Sequence, residues 1–170
     1  SGTAAAVAAA RLGAEVILLE RYNHLGGLST GGLVIWIDRM TDWDGRLVIR
    51  GFAEELIDRL PADAVAGPDR ADWGSRDAAR SAHWAQRSAS YHGVITWSPM
   101  VDPERLKLAS QEMVLERNVH LVFHCWGAEP LLDGGAVRGA IFESKAGRQA
   151  LLARVVVDAT GDGDLFARAG

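Results

Sequence analysis

Residues 1–21, SGTAAAVAAARLGAEVILLER, decide how this chain folds. From Gly2 to Leu12 the stretch is mostly Ala, the residue a helix accommodates at least cost, and Gly13 stands where a helix would stop. Residues 14–19 form a short, almost wholly apolar run, which suits a strand buried on both faces of a parallel sheet. The run ends on charge at Glu20 and Arg21. Helix, glycine stop, buried strand and terminal acid make the second half of a βαβ unit. The strand that should open the unit would lie upstream of Ser1, so the chain reads as a fragment.

Outward from this unit, residues 22–32 read as a loop with glycines at Gly26, Gly27, Gly31 and Gly32. Residues 51–60 place Phe52, Leu56, Ile57 and Leu60 on one helical face. Residues 61–93 are the least regular, with a helix expected over 76–86. Asp102-Pro103-Glu104 is a helix start, with an acid at the N-cap, Pro at the first position and a helix expected to about 117. A buried strand is predicted at 119–124, then two strands around the turn Asp133-Gly134-Gly135, then a turn near 146–147. A long strand is expected at 150–158, followed by loop and helix over 161–169 with Asp162 or Asp164 as its cap.

Composition narrows the function. The chain has 170 residues, 48% hydrophobic and 24% charged, which are the values of one globular domain with a substantial core. Its formal charge is −4 and no basic stripe is visible, so nucleic acid is excluded as a partner. Cys125 is the single cysteine, which suits a reducing compartment and cannot ligate an iron–sulfur cluster alone. The longest apolar run, Ala4 to Ala10, is far below the ~20 residues a membrane span requires. A cytoplasmic protein that does not associate with membranes is expected.

Gly2 stands where the third glycine of a Gly-x-Gly-x-x-Gly turn would stand, which would place a pyrophosphate on the amides of the following helix. Glu20, at a strand end, is positioned to accept hydrogen bonds from a ribose; the competing reading is an ordinary α/β unit with a solvated acid. The glycine pairs 26–27 and 31–32 flank Leu28-Ser29-Thr30 and let backbone approach a ligand. Gly27-Leu28-Ser29-Thr30-Gly31 also matches a hydrolase nucleophile elbow, but no strand precedes it, as that elbow requires. Residues 155–164, VVVDATGDGD, end a strand in a small, Gly-rich turn, where a parallel sheet holds its ligand. Asp158, Asp162 and Asp164 do not follow the spacing of a calcium loop, and helix capping accounts for one or two of them. On a strand, His120 and His124 would lie about 13 Å apart and could not share one ion, so no metal site is assigned. Cys125 reads as a small buried hydrophobe. Of six tryptophans, Trp36 and Trp97 are candidates to wall a planar ligand.

Together these stretches resemble the FAD-dependent oxidoreductases with the glutathione-reductase-like two-dinucleotide fold, a group that includes relatives of the heterodisulfide reductase flavin subunit. The resemblance rests on residues 1–21, on His24 to Gly32, on Asp102 to Lys107 and Glu143 to Gln149, and on the Asp-Ala-Thr-Gly-Asp-Gly-Asp run at 158–164. It implies an α/β fold: an FAD-binding, Rossmann-like parallel sheet with a three-stranded β-meander crossover, its first strand missing. It implies one partial FAD-binding domain over 1–170; the resemblance is weakest over 61–99, which reads as an irregular insertion and a candidate start of a substrate-facing region. Carried over residue by residue, Gly2 would approach the pyrophosphate, Glu20 the adenosine ribose, and Arg21 would join the cofactor-binding set. Gly26, Gly27 and Thr30 would lie along the pyrophosphate and ribityl, Gly127 would offer backbone to the adenine, and Ala159, Thr160 and Gly161 would close over the cofactor. The resemblance implies flavin-mediated hydride or electron transfer with a small-molecule substrate or redox partner. It designates no catalytic residue, substrate or oligomeric state. A nicotinamide-binding domain and a truncated, non-catalytic nucleotide-binding fragment are the alternatives.

Overall fold

The computed structural model describes all 170 residues. In chain order the elements are α1 (Gly2–Arg11), β1 (Ile17–Leu19), α2 (Phe52–Asp58), β2 (Val65–Ala66), α3 (Ala78–Ala85), β3 (Ser90–Tyr91), β4 (Val94–Ile95), β5 (Met100–Val101), α4 (Pro103–Leu115), β6 (His120–Val122), β7 (Trp126–Asp133), β8 (Ala136–Ser144), β9 (Gly147–Leu152) and α5 (Asp164–Ala169). They form two compact units, one from Ser1–Leu25 with Gln111–Gly170, the other from Gly26–Ser110.

In the first unit β1 and β6 pair in parallel, Ile17 opposite His120 and Leu19 opposite Val122. The alanines of α1 allow its close approach to β1, and Val7 is fully buried. The antiparallel meander β7-β8-β9 closes on the two predicted turns. α5 packs on β7, where Arg168 donates to the Ala128 carbonyl.

Two expectations need correction here. The run 14–19 yields only a three-residue strand, and Ile17 is 41% exposed rather than buried on both faces. A strand is buried on both faces only inside a wider, covered sheet, and β1 has the single neighbour β6. The strand expected over 150–158 divides: β9 ends at Leu152, the Ala153 amide makes one further bond to the Arg138 carbonyl of β8, and residues 154–158 belong to no strand. Val155 and Val157 are correspondingly exposed. Apolar, β-branched composition favours extended backbone, but a strand exists only where a ladder partner lies beside it.

The second unit has a core of Leu60, Ala64, Val101, Leu106 and Ala109, with Ile37, Leu56 and Val65 packed against it. Small antiparallel pairs, β2 with β5 and β3 with β4, complete it. The Asp102 carboxylate accepts from the Glu104 and Arg105 amides at 2.8 and 3.0 Å, so α4 starts at the expected cap. Asp77 caps α3 in the same way, through the Arg80 amide at 2.8 Å.

Candidate functional site

The N-terminus of α1 is the first component. The Ser1 side chain makes no capping hydrogen bond, so the first-turn amides of Gly2, Thr3 and Ala4 are left for an outside acceptor. A Cβ on Gly2 would stand 3.2 Å from the Ala159 Cβ and 3.6 Å from a Leu18 methyl. The helix start, β1 and the turn after residue 158 therefore meet at Gly2, where a side chain would be in tight contact with Ala159.

The second component is that turn. Asp158 Oδ1 accepts from the Thr160 amide at 2.9 Å and the Thr160 hydroxyl at 2.7 Å, and Oδ2 accepts from the Phe166 amide at 2.8 Å. Thr160 Oγ1 in turn accepts from the Asp164 amide at 3.0 Å. Burial pushes the Asp158 carboxyl up, but the hydrogen bonds from Thr160, Phe166 and Leu165 outweigh it, and the net shift is below the ordinary carboxylate range. The cap expected at Asp162 or Asp164 is corrected accordingly. The residue at the start of α5 is Gly163, with no side-chain cap, and Asp158 and Thr160 satisfy the α5 amides from the preceding turn. Glycines at 161 and 163, both at positive φ, fold the chain back far enough for this. Ala159 and Gly161 form its exposed outer surface.

Glu20 is the third component. It directly follows β1, half-buried, with Oε1 accepting from the Tyr22 amide at 2.9 Å. Its carbonyl accepts from the Cys125 amide at 3.0 Å, and the Tyr22 carbonyl from the His124 amide at 3.2 Å. These bonds draw residues 20–22 to the start of β7, where the Arg21 guanidinium lies 4.6 Å from the Tyr22 ring and 5.2 Å from the Trp126 ring. Gly127 follows in β7, opposite Phe142; a Cβ there would meet nothing closer than Leu165 at 3.8 Å.

The glycine loop belongs to the second unit. Gly26 has φ 103°, and a Cβ on it would overlap the Thr30 side chain. Gly27 opens a short 3-10 turn, and Thr30 is fully buried, with its amide and hydroxyl both on the Gly27 carbonyl at 3.2 Å. Thr30 thus braces the loop, while Gly26 and Gly27 form its exposed backbone.

A family model described as FAD dependent oxidoreductase matches residues 1–170. The chain belongs to that family. FAD is therefore its cofactor, and its α/β fold with parallel sheet and meander is that of an FAD-binding, Rossmann-like protein. Among solved structures, THI4 of Thermovibrio ammonificans aligns over 98% of this chain and 56% of its own length, at 12% identity and a TM-score of 0.53. That likeness is one of fold, and the chain spans little more than half of the THI4 chain. A search of curated proteins found no match. No helix is long and apolar enough to cross a membrane.

The FAD-family chain thus gathers Gly2, Glu20, Arg21, Gly127, Ala159, Thr160 and Gly161 in its first unit, and Gly26, Gly27 and Thr30 in its second. The amides at Gly2 suit a pyrophosphate, and the Glu20 carboxylate suits ribose hydroxyls. The serine of the elbow-like sequence, Ser29, sits in a 3-10 turn with no strand before it. Trp97 stacks on Trp73 at 5.1 Å, while Trp36 donates its indole N–H to the Ser88 carbonyl. Cys125 is buried, and burial pushes its thiol up. Sequence reasoning missed Asp158 as the organiser of the turn, and Tyr22 and Trp126 as the aromatic neighbours of Arg21. An exposed Trp beside an Arg-Tyr pair carries no local signal, because the contact joins residues distant in the chain.

Proposed function

We propose that this chain is the FAD-binding part of a flavin-dependent oxidoreductase that moves a hydride or electrons to or from a small-molecule substrate or redox partner. FAD, when bound, supplies the isoalloxazine ring that accepts and donates those electrons. The chain's own residues bind and orient it. Unsatisfied amides at Gly2 to Ala4 receive the pyrophosphate, Glu20 accepts from the ribose, and the Ala159–Gly161 turn, braced by Asp158, lies along the cofactor. The observation that carries this reading is the 3.2 Å approach of a Gly2 Cβ to Ala159, which joins the anion-binding helix end to the small-residue turn.

The test is purification without added cofactor, followed by FAD titration read by quenching of flavin fluorescence. A yellow protein, or saturable one-to-one uptake of FAD, is expected. A colourless protein that takes up no FAD overturns the proposal.

A further inference from the structure

The contacts around Arg21 remain unused by that reading. Arg21 carries a planar, always-charged guanidinium, and both contacts recorded for it are with aromatic rings, Tyr22 at 4.6 Å and Trp126 at 5.2 Å. The Tyr22 ring in turn stacks on the His24 ring at 5.6 Å, the planes 11° apart. Such a series of π-faces is ordinarily covered, because bare aromatic surface in water forfeits its burial energy. Here Trp126 is 54% exposed and Tyr22 47%, so both residues keep surface available to something outside the chain. The series begins one residue after Glu20 and ends one residue before Gly127, the two positions assigned to the ribose and the adenine.

We propose that Trp126, held by Arg21, is the surface on which the adenine ring of FAD stacks, with Arg21 as the positioning residue that fixes the indole. This rests on the FAD reading above and adds to it a side-chain contribution to base recognition. A flat heteroaromatic base matches an exposed indole in shape and polarity, and stacking of this kind is independent of base-edge hydrogen bonds. The arrangement is built by backbone. The Cys125 amide on the Glu20 carbonyl and the His124 amide on the Tyr22 carbonyl bring Trp126 to Arg21.

The test compares wild type with Trp126→Leu, Trp126→Phe, Arg21→Ala and, as a control, Trp43→Leu. Trp43, 43% exposed, is an indole that also carries an arginine, Arg39 at 4.8 Å, but lies in the second unit. FAD binding is read by flavin fluorescence, ADP binding by displacement of FAD, and folding by the thermal midpoint. Trp126→Leu is expected to weaken FAD and ADP alike by about tenfold, and Arg21→Ala by about threefold. Trp126→Phe, which keeps a ring, should restore most of the loss. Riboflavin, which has no adenine, should bind the Trp126→Leu variant as it binds wild type, and Trp43→Leu should bind FAD normally. If Trp126→Leu does not fold, Arg21→Ala and the Phe variant decide. Unchanged FAD and ADP affinity in Trp126→Leu, or an equal loss for riboflavin, overturns the stacking proposal and leaves the FAD reading intact. A wild type that takes up no FAD overturns both.

Discussion

Replacing Asp158 with Ala tests whether the turn after the last apolar run is a built part of the cofactor site. The carboxylate accepts three hydrogen bonds at 2.7 to 2.9 Å, two from Thr160 and one from the Phe166 amide. Hydrogen bonds to a charged acceptor are worth about 1.5–3 kcal/mol each when buried, but this carboxylate is partly solvated, so about 1 kcal/mol each is the fitting figure. The expected loss is therefore about 2–3 kcal/mol, or roughly 5–10 °C in melting midpoint for a chain of this size. The Asn variant should fall between, since its amide oxygen still serves Thr160 while its NH2 faces the Phe166 N–H. Because the folded carboxyl titrates below its unfolded value of 3.8, its contribution is complete above that pH. It is lost as pH falls through the lower, folded value, so the gap between wild type and Asp158→Ala should be open at neutral pH and close in acid. Loosening 159–161 should also weaken FAD by about tenfold. Thermal melts at several pH values and FAD titration measure both effects. An Asp158→Ala protein that melts within about 1 °C of wild type at neutral pH and binds FAD normally refutes the assignment.

Glu20→Gln should leave the melting midpoint unchanged and weaken FAD by about tenfold in titration, since only the ribose acceptor is altered. Gly26→Ala should destabilise by about 2–3 kcal/mol in urea unfolding, because φ 103° and the Thr30 side chain both oppose a Cβ. Leu106→Ala, at a 3% exposed position of the second unit's core, should cost about 2–4 kcal/mol by the same measurement. Cys125, only 3% exposed and with its thiol pushed up by burial, should resist a thiol reagent until denaturant is added.

What was legible in the sequence was local. The alanine run, the cap at Asp102, the periodic face of α2 and the glycine turns of the meander act within a few residues, and those elements stand where the pattern put them. The strand expected over 150–158 was not legible, because its composition says nothing of whether a ladder partner lies beside it. The α5 cap was sought in the residue just before the helix, where capping acids ordinarily sit. Asp158 reaches the helix from eight residues before Phe166 only because the intervening glycines fold the turn back. Arg21 and Trp126 are farther apart still, and the pairing of β1 with β6, continued by the Cys125 and His124 amides on the Glu20 and Tyr22 carbonyls, brings them together. Of the candidate site residues, the small ones and Glu20 followed from motif position, whereas the groups that hold them did not.

The groups collected in the first unit all suit the same half of the cofactor. On the proposed reading the helix amides take the pyrophosphate, Glu20 the ribose, and Trp126 with Arg21 the base. Within that unit Glu20 accepts from the Tyr22 amide, Asp158 is held in the turn, and the Cys125 thiol is buried. On the proposed reading the unit therefore supplies affinity for the ADP portion of FAD, and substrate choice rests with other residues. That division has a quantitative consequence. ADP should displace FAD with most of the affinity of FAD itself, and FMN, which carries the flavin without the adenosine, should compete poorly. The reverse order would place the main binding energy on the flavin and remove the adenosine half from the centre of the site.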